Sequence, residues 1–228
     1  MARQRDAPFT SFLMVACSAV FILSFMGSEE WAYVMVARYG LVPSVLLGGR
    51  SAFTLFTHMF LHASFAHLAA NMFVLLSVGG PVERQVGTAR FSALYLGAGV
   101  SAGLLHALAN PSSTVTVIGA SGAIFGLIAV LFLLMPFQIT TALILPLPGV
   151  VLGLLVLAVE VFSLLVNQSP EIAHDMHLYG FFVGGLGAFA VDPNKALRGL
   201  IIAAVVLIAL YVILLYLNGP FSLNDYMF

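Results

Sequence analysis

Long apolar runs recur from one end of this chain to the other, broken only by short polar stretches, and that recurrence leaves few folds open. A hydrocarbon core is crossed by roughly 20 helical residues, with a range of roughly 17–25. Seven segments meet or approach that length: Thr10–Met26, His67–Gly80, Phe91–Leu108, Ser121 to just before Pro136, Leu147–Val166, His177–Val191 and Leu200–Leu217. Soluble domains carry about 25% charged residues, whereas only 7% of this chain is charged and 61% is hydrophobic. Such a sequence cannot cover a water-facing surface, and it predicts an all-α polytopic membrane protein with the lipid bilayer as its solvent. A net charge of −1 offers no basic patch for nucleic acid. Cys17 is the sole cysteine, which excludes an internal disulfide and a cysteine-based metal site.

Arg3 and Arg5 before the first run, and Met14-Val15-Ala16-Cys17 within it, resemble processing signals. The apolar stretch before Cys17 is short and hydrophobicity continues to Met26, so the expectation is a retained span. The chain then divides into a short cytoplasmic tail (1–9), a six-span core (10–191), and a closing unit (192–228) of polar hairpin, seventh span and external C-terminus. Residues 27–66 form a long first loop whose apolar middle is broken by Gly40, Pro43 and Gly48-Gly49, a pattern suited to helices lying in the membrane interface. With the N-terminus inside, Arg3, Arg5, Arg84, Arg90, Lys195 and Arg198 fall on the cytoplasmic side and only Arg38 and Arg50 on the other. Spans two, four and six then all enter from the external side. His67 with Asn71, Ser121 and His177 therefore share one depth, although they are spread over 110 residues of sequence. Intramembrane polar residues are costly and tend to mark function.

Ser121 sits in Ile118–Leu127 (IGASGAIFGL), between Gly119 and Gly122, where a helix opens and backbone N–H groups lack partners. The same small residues also suit helix packing. A serine nucleophile needs a base, and His177 is the candidate; the alternative is an interfacial histidine among packing glycines. Gly122 and Gly126 on span four, and Gly180 and Gly184 on span six, form small-x-x-x-small faces that let two backbones approach closely. His67 and Asn71, four apart, share a helix face and can donate to an oxyanion beside the Ser121 N–H; Asn71 can instead serve as a bond between helices. Phe125, one turn beyond Ser121, belongs to the core or packs beneath the His177 ring. Asp175 lies two residues before His177, too close along a helix to face it, and reads as loop surface beside a serine–histidine dyad. A metal site built from His58, His62, His67, His174 and His177 is conceivable, but no H-E-x-x-H occurs and no metal or other cofactor is expected. Glu160 within span five reads as protonated or bonded to a neighbouring span. The rival reading from another class is a small proton-coupled transporter or channel using Glu160 and the histidines.

Three stretches, HASFAHLAANM, GASGAIFG and HLYGFFVGG, occur in this order on spans two, four and six. Together they closely resemble the rhomboid intramembrane serine proteases, over about residues 8–217. The resemblance implies a six-helix bundle plus one C-terminal transmembrane helix. It implies Ser121 as nucleophile, His177 as general base, and His67 and Asn71 as oxyanion-site residues beside the Ser121 amide. Phe125 falls where the family places an aromatic against the catalytic ring. The first loop is similar to a membrane-embedded loop that usually carries a Trp-Arg pair; here Arg50 is retained and Gly49 replaces the tryptophan. The implied partners are single-span membrane proteins cleaved where their helix unwinds, with span five as a lateral gate. The implied location is a bacterial or archaeal cell membrane, with the active site opening to the extracytoplasmic side.

Overall fold

The computed structural model describes residues 6–166 and 172–218, and among these the architecture is a helical bundle with one small hairpin. In chain order the elements are α1 (Pro8–Phe25), α2 (Glu29–Tyr39), α3 (Pro43–Leu47), α4 (Thr54–Thr57), α5 (Phe65–Val74), α6 (Gly80–Val86), α7 (Thr88–Ala109), α8 (Ser121–Leu134), β1 (Ile139–Leu143), β2 (Leu145–Pro148), α9 (Gly149–Val166), α10 (His174–Val191) and α11 (Pro193–Asn218). Length and composition allow five of these runs to cross a membrane: α1, Phe65–Val86, α7, α9 and α11. At 14 residues α8 is shorter, and it lies at the centre, buried almost throughout from Gly122 to Leu134. The segment with Arg3 and Arg5, and the chain past Asn218, lie outside the described residues.

Seven helices stand where seven spans are expected, with informative differences at their ends. The second span runs on to Val86, because a π-helical turn at Leu75–Gly79 joins α5 to α6. A π turn breaks the regular hydrogen-bond ladder, and the Ser77 carbonyl there accepts from Thr140 Oγ1 at 3.2 Å. Thr140 belongs to the antiparallel hairpin β1–β2, and β2 takes up Leu147 and Pro148, expected as the start of the fifth span. The DPNKALR stretch, expected as a polar hairpin, is mostly the first turns of α11. Asp192 accepts from the Lys195 N–H at 3.0 Å and Pro193 follows it, the N-cap and N1 chemistry that starts a helix. That N–H holds the partly exposed Asp192 carboxyl below the usual carboxylate range. Along α11 almost every side chain from Val205 outward is exposed, as a helix facing lipid should be.

The first loop is pinned to the stretch leading into α8. Leu41 and Val117 exchange backbone hydrogen bonds at 3.0 and 2.8 Å, and the Gly119 N–H donates to the His58 carbonyl at 2.9 Å. Inside the loop, Gly49 has φ +74° and Ser51 φ +60°. A tryptophan at position 49 would carry the strain of that left-handed turn, which accounts for glycine there.

A buried carboxylate starts the bundle. The first turn of α1 lacks a side-chain cap of its own, yet its donors are accounted for. Pro8 has none, Phe9 N–H and Thr10 N–H donate to the two oxygens of Glu83 at 2.9 and 2.8 Å, and Ser11 N–H reaches the Ala7 carbonyl. Thr10 Oγ1 and Thr88 Oγ1 add bonds to the same carboxylate, so Glu83 joins the starts of α1 and α7 from within α6. Replacing Glu83 with Ala strands these donors and is expected to destabilise the protein by on the order of 3 kcal/mol. Glu83→Gln, with one acceptor oxygen, is expected to lose about half as much, read as thermal unfolding midpoints in detergent.

Candidate active site

The starts of α5, α8 and α10 meet at one end of the bundle. What lets α8 and α10 come together is the absence of side chains between them. A Cβ on Gly180 would strike the Gly122 carbonyl, and one on Gly184 would strike the Gly126 carbonyl. Backbone against backbone, the two helices bring Ser121 Oγ to 2.8 Å from His177 Nε2. The Phe125 ring stacks on the imidazole, with centroids 4.3 Å apart and planes 7° from parallel.

The turn before Ser121 is shaped by its neighbours. Gly119 has φ +127°, and a Cβ on it would lie 2.9 Å from both Cε1 and Nε2 of His67. The His67 ring therefore lies over Gly119, and only glycine fits beneath it. At the other edge of the ring, Nδ1 faces the Ala63 N–H at 3.5 Å. Asn71 Nδ2 donates to the His67 carbonyl at 2.9 Å, which leaves its second N–H free of that bond. Asn71, Ser121 and Phe125 line one cavity of about 180 Å³, otherwise walled by apolar residues of α5, α8, β1 and α9, including Val74, Ile128, Leu143 and Leu152. The α8 N-terminus carries no side-chain cap, so the N–H groups of its first turn have no capping side chain among the described residues.

Behind the imidazole stands a carboxylate. Glu160, buried on α9, approaches His177 Nδ1 with Oε1 at 3.0 Å and His174 Nδ1 with Oε2 at 2.5 Å. The expectation of Glu160 bonded to a neighbouring span thus takes a specific form, and both partners lie on α10. Glu160, His174 and His177 offer three ligand-type atoms within 4.8 Å of one another, each already engaged by hydrogen bonds. Of the five histidines weighed for a metal site, only His174 and His177 fall in that group among the described residues. His58 bonds the Thr54 carbonyl at 2.8 Å in the first loop, and the His62 ring meets that of His67 edge-on at 5.1 Å.

Asp175 corrects the sequence reading. It is not loop surface: α10 begins at His174, so Asp175 sits in the first helical turn and turns toward the end of α7. There its oxygens meet His106 Nδ1 at 2.8 and 2.9 Å and accept from Asn110 Nδ2 at 2.9 Å. The sequence held a signal for this pair: His106 and Asn110 repeat the H-x-x-x-N spacing of His67 and Asn71. Both asparagines also bond back to the carbonyl of their histidine.

An all-α membrane bundle that closes a serine and an imidazole over an apolar cavity defines a class of its own. Residues 49–194 match the model of the Rhomboid domain, and the chain belongs to the rhomboid family. It is 34% identical over 130 residues to rhomboid protease GluP of Bacillus subtilis, covering 56% of this chain and 25% of that protein. It is 31% identical over 145 residues to the putative rhomboid protease YdcA of the same organism, covering 63% and 69%. Rhomboid protease GlpG of an Enterobacter species aligns over 198 residues at 27% identity, covering 86% and 67%. The chain spans between 25% and 40% of the length of the first curated relatives it matches. It is a multi-pass integral membrane protein of this family.

Two expectations follow from the geometry. Gly119→Ala meets both an unfavourable φ and the His67 ring, and should cost about 2 kcal/mol in thermal unfolding. In the first loop, outside the spans, burial pushes His58 and His62 from 6.5 down to about 4. The unfolded chain takes up these protons near 6.5 and the folded one does not until about 4. Stability is therefore complete above the first value, falls by up to about 3 kcal/mol per ring as pH drops through that window, and levels below it. The slope of unfolding midpoint against pH should flatten in His62→Phe; an unchanged slope counts against buried neutral rings.

Proposed function

We propose that the chain is an intramembrane serine protease that cleaves peptide bonds in or near the transmembrane helix of single-span membrane proteins. The observation that carries this is the 2.8 Å contact between Ser121 Oγ and His177 Nε2, within hydrogen-bond reach of a nucleophile and its base. In this reading His177 takes the Ser121 proton as the oxygen attacks the scissile carbonyl. The tetrahedral oxyanion is met by the Ser121 N–H at the uncapped start of α8, helped by the helix dipole. His67 Nε2, over Gly119, and the remaining N–H of Asn71 supply further donors. His177 then returns the proton to the leaving amine, and water releases the acyl-enzyme.

The names of the relatives, several of them rhomboid proteases, support the reading. So does the cavity, which runs from Ser121 between α5 and α9 and is lined by apolar side chains suited to an unwound substrate segment. A spanning helix has its peptide bonds internally paired, so a substrate must loosen near this cavity, and Gly or Pro should favour cleavage. We take the N-terminus as cytoplasmic and the site as opening on the opposite face, from the distribution of Lys and Arg. In that frame residues 10–191 form the catalytic core, and the last span is an addition to it.

The test is cleavage of a model single-span substrate in liposomes by the wild type and by Ser121→Ala, His177→Asn, His67→Ala and Asn71→Ala. The first two are expected to lose at least ~10³-fold in kcat, and the oxyanion variants ~10–10³-fold. A serine-reactive fluorophosphonate should label the wild type and neither of the first two. Undiminished cleavage by Ser121→Ala would overturn the proposal, whereas proton transport surviving that change would favour the transporter reading.

A further inference from the structure

The reaction above uses one nitrogen of His177 and is silent on the other. That nitrogen, Nδ1, faces Glu160 Oε1 at 3.0 Å, while the second carboxylate oxygen faces His174 Nδ1 at 2.5 Å. The proton count follows from the chemistry of the groups. An ionised carboxylate only accepts, so each Nδ1 that bonds it carries the hydrogen. A neutral imidazole has one N–H, and His177 then has a bare Nε2 directed at Ser121 Oγ. His174 fits the same count: its Nε2 is buried and has no partner among the described residues.

We propose that Glu160 is a positioning residue for His177, its carboxylate fixing the tautomer and rotation of the imidazole so that Nε2 is free to take the Ser121 proton. This rests on the reading of Ser121 as nucleophile. Phe125 stacks on the ring face and limits its tilt, but a stacked ring can still carry its proton on either nitrogen. With the proton on Nε2, the imidazole would donate to Ser121 Oγ and could not act as base. Glu160 removes that state. It also lies beside the charge that forms: as His177 becomes imidazolium, the Nδ1–H···Oε1 bond becomes charge-assisted on both sides. His174 satisfies the second oxygen, which a buried carboxylate needs. Asp175, closer in sequence, has no share in this, because His106 and Asn110 engage it on the α7 side.

The test compares Glu160→Leu and Glu160→Gln with wild type and with Ser121→Ala, reading kcat and KM separately on the single-span substrate. Nitrogen-15 NMR of the His177 side chain in detergent reads the tautomer. Glu160→Leu is expected to lower kcat by ~10²–10⁴-fold with KM within twofold of wild type. Its His177 proton should move from Nδ1 to Nε2. Glu160→Gln keeps an oxygen that accepts from Nδ1 and loses the charge, so its kcat should fall between the two. Full kcat in Glu160→Leu, or a loss of activity with the His177 tautomer unchanged, overturns the inference. If Glu160→Leu does not fold, the near-isosteric Glu160→Gln carries the test, and an undiminished kcat there is equally decisive. An inactive Ser121→Ala beside a fully active Glu160→Leu removes this inference and leaves the protease reading standing; an active Ser121→Ala removes both.

Discussion

The site depends on a contact that involves no reactive group: the bare backbone approach of α8 and α10. Gly122 and Gly126 on one helix, and Gly180 and Gly184 on the other, let carbonyl oxygens of α8 occupy the space where α10 would otherwise carry Cβ atoms. In lipid there is no hydrophobic drive between helices, so association rests on close packing of this kind. Ser121 precedes the first glycine of α8 and His177 lies three residues before the first of α10. The hydroxyl and the imidazole are therefore held at the separation that the backbones dictate. Gly199 repeats the device near the C-terminal end of α8, where a Cβ would strike the Leu133 carbonyl, and so seats α11.

Charges inside such a bundle are tolerated only when each is bonded, and three carboxylates show three solutions. Glu83 takes the helix-start donors of α1 and two threonine hydroxyls. Asp175 takes a histidine and an asparagine from α7. Glu160 takes two histidines of α10. Helix starts are treated unevenly: α2 and α5 are capped by Ser28 and Ser64, and α1 by Glu83, while α8, like α7 and α10, begins with no side-chain cap. Unclaimed donors at a helix start suit a transient negative charge better than a permanent cap would.

Most of the bundle was legible in the sequence because spans are written in one variable, apolar length, and because alternating direction returns every second start to the same depth. The approach of Ser121 and His177 was legible too, since glycine spacing encodes backbone contact. Features that depend on a single long-range bond were not. The hairpin at 139–148 follows a short helix that is apolar beyond Ser121, and its sequence shows no strand alternation; its place in the bundle is marked by a bond from Thr140 to the Ser77 carbonyl in the π turn. Asp175 was misread because α10 starts at His174, one turn before the apolar run that marks the span. Glu160 was readable as either protonated or bonded to a neighbouring span, and not with which one: a carboxylate on one span can reach any neighbour, and only packing selects α10.

That selection links access and chemistry. The helix α9 supplies Leu152 and Val156 to the cavity wall and, one turn beyond Val156, Glu160 to the imidazole. Its outward face is exposed at Leu155, Val159 and Phe162, whereas α8 and α10 are locked by glycine contacts that leave no slack. Ser121 and His177 thus ride on the closely packed pair, and Glu160 rides on the helix that borders the cavity. A displacement of α9 would carry Glu160 with it. The cavity wall and the hydrogen bond to His177 Nδ1 are therefore carried by one helix, so that a shift of α9 is felt at both.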